Sequence, residues 1–241
     1  MIEVKKAWDN HWKNVLSIEP LYKNYGVKNV LWCFDKLLKN KKLNRVLDVG
    51  CGPGFYFKYF SEKGAKELHG LEVNIKNVEK AKFLNRNFNI KIIQGDVREI
   101  NQYYEKSYFD LVFSLGLIEH FKYPVKIIQN LLNLVNIHGL LVLEMPNFNN
   151  YLFWRYNVKR IHTLPFHNWW GVKEWARYLS NIKGCHLEMI QTGDFWSYYR
   201  YLPKLLSKIS SKLMDLEISL ENKLFSRSGA LAFYKLRKIS N

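Results

Sequence analysis

Nine consecutive residues, Val46-Leu47-Asp48-Val49-Gly50-Cys51-Gly52-Pro53-Gly54, concentrate the chemistry of this chain. An apolar run carries an acid near its end and enters a glycine-rich turn. Glycines let the backbone bend sharply there and approach a bound molecule closely. They stand at i, i+2 and i+4, whereas a dinucleotide fingerprint needs its third at i+5, where this chain has Phe55. Asp48 would also repel a pyrophosphate. An acid in that place suits a ligand that carries an ammonium or sulfonium group. Leu71-Glu72-Val73-Asn74 puts a second carboxylate at a strand end, 20 residues after Gly52. A ribose diol is held at that position by hydroxyl-to-carboxylate hydrogen bonds; a helix-capping charge is the alternative. Gly95-Asp96-Val97 ends a third run, with Asp96 able to accept from an exocyclic amine. Three acids ending three successive strands would line one crevice.

The elements that must position these acids follow from periodicity. Arg45–Val49, Glu67–Val73, Ile90–Gln94, Phe109–Leu115 and Gly139–Glu144 read as buried strands. Between them, Ile75–Phe88 and Pro124–Asn136 repeat apolar residues at helical spacing, with Pro124 suited to a first turn and Gly139 just past the end. Strands separated by helices mean parallel βαβ units, with ligands at the carboxyl ends of the strands. After residue 146 the rhythm changes. It reads as an aromatic, basic segment (147–170), a helix (about 171–182), a strand (about 186–195), a long helix (about 202–224) and a last strand (about 229–236).

Taken together, these residues resemble the class I S-adenosylmethionine-dependent methyltransferases. Residues 46–54 match the family's glycine-rich motif, Glu72 its ribose-binding acid and Asp96 its adenine-contacting acid. Phe109-Asp110-Leu111-Val112 matches the fourth-strand motif, and Leu117-Ile118-Glu119-His120-Phe121 the segment after it. Trp8-Asp9-Asn10-His11-Trp12 is similar to a helix that lies over the cofactor. The resemblance implies a Rossmann-like α/β fold, a seven-stranded mostly parallel sheet with helices on both faces and a variable helical, aromatic cap. It implies S-adenosylmethionine as cofactor, held by Asp48, Gly50, Cys51, Gly52, Gly54, Glu72, Asp96, Val97 and Ser114. The single domain would divide into amino-terminal lid helices (1–45), a cofactor-binding core (46–145) and a substrate-side insertion with the last two strands (146–241).

Such a reaction needs proximity, orientation and, for a protonated nucleophile, a base. Histidine is the natural base near neutral pH. Of seven histidines, His11, His69, His138 and His186 fall in a helix, strands or a turn. His167, before the helix start Asn168–Glu174, is the first candidate, with His120 in reserve and His162 third. Packing beside the cofactor is the alternative for His120. His162 and His167 lack an accompanying carboxylate, so no metal is expected.

The fourth strand ends Ser114-Leu115-Gly116 instead of in an Asn/Asp-Pro-Pro-aromatic motif, and no Pro-Cys pair is present. Both features argue against DNA methylation. Asn147–Trp170 interleaves eight aromatics with Arg155, Lys159 and Arg160. It suits a sugar, aryl ring, nucleobase or lipid edge, or a lid packing on its own domain. The long helix sets Lys204, Lys208 and Lys212 beside a leucine stripe, as a membrane-surface helix or an ordinary packed one would.

Net charge is +16, and it is uneven. Residues 1–45 hold 10 Lys/Arg against 4 acids, 46–145 hold 12 against 11, and 146–241 hold 15 against 6. The cations belong to the ends, which argues for an anionic acceptor or surface, or for solubility alone. No apolar run approaches the roughly 20 residues of a membrane span. Three cysteines without a CxxC pair argue against a disulfide framework. With no apolar leader after Met1, a cytoplasmic protein is expected, with possible peripheral contact at an anionic membrane. The leading expectation is methyl transfer to an oxygen, or less readily a nitrogen, of a small metabolite, glycan precursor or lipid-linked acceptor. The rivals are an RNA methyltransferase, because of the basic ends, and a cofactor-binding protein without turnover.

Overall fold

Parallel strands buried on both faces must be apolar nearly throughout, and the central runs of this chain meet that demand. The computed structural model describes residues 25–149, 168–193 and 231–240. In chain order it shows α1 (Tyr25–Leu37), β1 (Arg45–Val49), α2 (Phe57–Glu62), β2 (Glu67–Glu72), α3 (Ile75–Leu84), β3 (Ile90–Gln94) and β4 (Phe109–Leu115). There follow α4 (Pro124–Leu134), β5 (Val135–Pro146), α5 (Val172–Ser180), β6 (Cys185–Gly193) and β7 (Leu231–Lys238). Short 3₁₀ segments occupy Val97–Gln102 and Ile118–His120.

The seven strands form one sheet in the order β3-β2-β1-β4-β5-β7-β6. β1 to β5 pair in parallel, and β7 enters antiparallel between β5 and β6. One face buries Leu47, Val49, Val112, Leu141 and Tyr234 against Ile128 and Leu131 of α4 and Trp175 of α5. The other buries Val46, Leu111, Phe113, Val142 and Phe233 against α1 and α2. Phe34 of α1 is fully buried there, with ring centroids 5.2 Å from Phe113 and 5.3 Å from Phe60. Strand order reverses direction between β1 and β4, and that switch point places a ligand crevice at the carboxyl ends of these two strands.

Asp110, part of the fourth-strand motif, works at the opposite end of the sheet. Its Oδ2 accepts from the backbone N–H of Asn44 (2.7 Å) and Arg45 (3.0 Å), and its Oδ1 from Asn136 Nδ2 (2.7 Å). It ties the starts of β1 and β5 to β4.

Several expected boundaries move, for local reasons. The helix expected to reach Phe88 stops at Leu84, because the Asn85 amide donates back to the Ala81 carbonyl (3.0 Å) and to Pro53 O (3.3 Å). The helix expected to reach Asn136 stops at Leu134, since Val135 is already extended and pairs with Phe109. Gly139 therefore lies inside β5, beyond a kink where His138 has φ 66°. The Trp8–Trp12 motif, His11, His162, His167, the expected helix at 202–224 and most of the aromatic segment lie outside the described residues. Among the described residues no helix is long and apolar enough to cross a membrane.

Candidate active site

The turn after β1 is built on left-handed backbone. Gly50 has φ 77° and Gly54 φ 76°, and a Cβ on Gly54 would fall 2.8 Å from the Phe57 ring. A side chain at either position would strain the loop. The turn is sewn to β2: Gly50 and Cys51 donate N–H to Leu71 O at 2.8 and 3.2 Å. Gly52 N–H reaches the Glu72 carboxylate itself, at 2.9 Å from Oε2. Glu72 Oε1 accepts from Asn74 N–H at 2.9 Å. Its carboxyl stands above the usual range because burial outweighs these hydrogen bonds. Glu72 thus braces the loop, with the Asn77 side chain and the Val73 backbone also contributing hydrogen bonds to its carboxylate.

Asp48 lies beneath the same loop, buried, and its carboxyl is pushed well up by burial first and then by Glu72. Two buried acids side by side are costly without a counter-charge. A ligand that brings a cationic group beside Asp48 and hydroxyls to Glu72 removes that cost, so the donor set fits a nucleoside carrying an ammonium or sulfonium. Asp96 stands at the end of β3, where its carboxylate accepts from Arg98 N–H and Nε (2.9 Å each). The Arg98 guanidinium is the first cause that holds the Asp96 carboxyl below its ordinary range. Asp96 faces the crevice edge already paired.

Not every expected ligand residue presents its side chain. Cys51 is buried, and its sulfur would stand 2.8 Å from a Cβ on Gly70. Burial raises its thiol, then Asp48 and Glu72 raise it further, so it is an inert packing group. Ser114 is also wholly buried, and its hydroxyl donates to Val49 O at 2.8 Å, locking β4 onto β1. Val97 packs into the core beside Ile100. These three contribute backbone or scaffold.

On the β4 side, a Cβ on Gly50 would touch Leu117 Cδ2 at 3.2 Å, so the segment after β4 abuts the glycine turn. His120 ends the 3₁₀ segment there, with Nε2 3.9 Å from Glu119 Oε1. Asn168 closes over it, donating its N–H to Glu119 O (3.1 Å) and its amide to Phe121 O (2.6 Å). His120 thus ends the segment that abuts the glycine turn, while His167 falls outside the described residues. Sequence reasoning overlooked Glu119 and Glu144. Both are buried, and a Cβ on Gly116 would lie 3.8 Å from Glu119 Oε1 and 3.9 Å from Glu144 Oε2. The signal was available: Glu144 follows the apolar run Leu140–Leu143 just as Glu72 follows Leu71.

A family model for a methyltransferase domain matches residues 40–191. The tRNA U34 carboxymethyltransferase of Helicobacter acinonychis is 32% identical over 120 residues, 48% of this chain and 45% of that protein. The tRNA U34 carboxymethyltransferase of Pseudoalteromonas atlantica is 32% identical over 102 residues, 41% of this chain and 31% of that protein. The chain spans less than half the length of these curated relatives. Among solved structures, a SAM-dependent methyltransferase of Thermotoga maritima, described as a possible histamine N-methyltransferase, matches with a TM-score of 0.65. Its identity is 14%, covering 99% of this chain and 100% of that one. A plantazolicin methyltransferase matches with a TM-score of 0.63 at 18% identity, covering 98% and 90%. These two share the fold. The relatives named for a tRNA base overturn the expectation of a small-metabolite, glycan-precursor or lipid-linked acceptor, and they favour its RNA rival.

Proposed function

The chain belongs to the methyltransferase domain family, and from that premise we propose that it is an S-adenosylmethionine-dependent transferase acting on RNA, a transfer-RNA uridine foremost. The observation that carries the cofactor half is the buried pair Asp48 and Glu72 under the glycine turn. The acceptor half rests on the 32% identity to tRNA-directed relatives, and the basic ends of the chain suit a polyanion. When bound, S-adenosylmethionine supplies a methyl group on a positively charged sulfur, which departs as a neutral thioether with the bonding electron pair.

The chain's own residues bind, orient and accept a proton. Asp48 would hold the ligand's cationic end and Glu72 its ribose hydroxyls, with Gly50, Gly52 and Gly54 allowing close backbone approach. Asp96, turned by Arg98, borders the base. An acceptor atom would lie on the β4 side of the crevice. Where that atom bears a proton, His120 takes it, with Glu119 beside its ring to steady the charge that results; His167 is the second candidate.

The test is transfer of radiolabelled methyl from S-adenosylmethionine to bulk transfer RNA, scored beside double-stranded DNA. Label in RNA that falls steeply between about 50 and 200 mM salt is expected. Label absent from RNA at low salt, with the cofactor bound, overturns the acceptor.

A further inference from the structure

At the end of the sheet away from the glycine turn lies a cavity of about 320 Å³. Three segments meet there: the last turns of α4 with Gln129 and Asn133, the turn before β6 with Lys183 and Gly184, and the end of β7 with Lys238 and Ser240. Lys238 Nζ donates to the carbonyl of Val135, where β5 begins, and to Ser107 Oγ, two residues before β4. The seven residues of β4 span about 20 Å between this place and the crevice, so the cavity is no part of the site described above.

Its lining carries charge of one sign. Of the described residues around it, Leu132 alone has an apolar side chain, Lys183 and Lys238 are cations, and none is an acid. Lys238 is 3% exposed, and burying an ammonium is costly unless an opposite charge pairs with it. Its two acceptors, at 2.9 and 3.1 Å, are neutral oxygens. Among the described residues, neither lysine has a carboxylate within ion-pair distance. Burial, and then Lys106, hold the Lys238 ammonium below the ordinary lysine value. One of its three N–H groups is left for a ligand. The negative end of the α4 dipole points here, but its carbonyls are taken: Asn133 O accepts from Ser107 N–H (2.8 Å), Leu134 O from Tyr108 N–H (2.9 Å) and Val135 O from Lys238. The rim is preformed, because Gly184 is left-handed (φ 80°) and its carbonyl accepts from Ile239 N–H at 2.9 Å. Two cations, the amides of Gln129 and Asn133 and the Ser240 hydroxyl complement a compact anion with several acceptor oxygens.

We propose that this cavity is a phosphate-binding site, with Lys183 and Lys238 as its cations. The site stands apart from the cofactor and needs none bound. Inorganic phosphate should bind with Kd on the order of 1 mM, as a few charge-assisted hydrogen bonds allow. At ten times that concentration it should raise the unfolding temperature by about 3–5 °C over sodium chloride of equal ionic strength. Lys183 is exposed at the rim, so Lys183→Glu keeps the fold and should abolish the rise, while Lys183→Arg retains it. Lys82→Glu on α3 makes the same change of net charge and should also retain it. A short oligoribonucleotide without terminal phosphates separates the sources of the group. If the site holds a phosphate of an RNA backbone, Lys183→Glu weakens that binding several-fold more than Lys82→Glu does and flattens its salt dependence. If it holds a free phosphate or a phosphomonoester, the two variants bind the oligonucleotide alike. Phosphate that protects the wild type no better than chloride overturns the proposal, as does a rise undiminished in Lys183→Glu.

Discussion

Glu72 and Glu119 are both buried glutamates at the carboxyl edge of the same sheet, 8% and 1% exposed, yet they are solved differently. Each oxygen of Glu72 accepts a backbone N–H at 2.9 Å, so the residue is part of the scaffold before any ligand arrives. Among the described residues, Glu119 has one oxygen with no donor and the other 3.9 Å from a histidine. The nucleoside half of the crevice is therefore preorganised by its own backbone. The acceptor half holds a buried carboxyl that, among the described residues, is less fully hydrogen-bonded. Preorganisation and unmet polarity sit side by side, which suits a site whose one end is common to a family and whose other end selects.

The largest expected effect is on the scaffolded side. Glu72→Ala strands two backbone N–H groups, of Gly52 and Asn74, and should lower unfolding free energy by about 2–4 kcal/mol. S-adenosylhomocysteine affinity should fall at least about ten-fold in calorimetry. Glu119→Gln, which replaces a buried carboxyl already pushed up by burial and then by Glu144, should leave stability unchanged or raise it. Urea unfolding that ranks the two variants the other way breaks the comparison.

Proton linkage sharpens it next. The carboxyl of Asp48 is raised in the fold by burial and then by Glu72, so the folded state holds a proton that the unfolded chain gives up near about pH 4. The stability it lends is full below that pH and is lost as pH rises through the folded value. Asp48→Asn should therefore gain on the wild type as pH climbs, by about 1 kcal/mol at pH 8 without ligand, the scale of an unpaired buried polar group. The same variant should lose affinity for S-adenosylhomocysteine, whose ammonium it no longer attracts. Thermal unfolding across pH shows the crossing, and parallel curves for the two proteins would refute it.

The smallest effect belongs to Asp96, whose side chain is 24% exposed and paired with Arg98. Asp96→Asn should cost under about 1 kcal/mol in stability, as half-exposed pairs do. Cofactor affinity should drop only a few-fold. A loss as large as that of Glu72→Ala would mean that Asp96 carries the base outright.

How much of this was legible beforehand varies by residue. The five parallel strands and their order of function were readable because buried parallel strands are continuous apolar runs, and because acids interrupt them only at their ends. Helix ends were not, since Asn85 stops α3 through hydrogen bonds to Ala81 and Pro53 that no local pattern announces. Ser114 and Cys51 stand on β4 and in the glycine turn, but side-chain direction alternates along a strand and turns abruptly after it, and each points into the scaffold. Glu144 was passed over because it ends the fifth strand, where no cofactor acid is sought. The acceptor could not be read from these residues at all, because the glycine turn and its acids serve the cofactor whatever is alkylated.

The position of β7 has a consequence for how the chain is made. Although last of the strands in sequence, it lies inside the sheet, hydrogen-bonded to β5 on one side and β6 on the other. Until residues 231–238 emerge from the ribosome, β5 presents an unpaired apolar edge and β6 has no partner. The nascent protein thus passes through an interval with an open template for wrong pairing, closed only by contacts of high sequence separation. Its yield in a cell should depend on how long that edge is shielded, and so on chaperones and on the rate of synthesis, more than on the stability of the finished sheet.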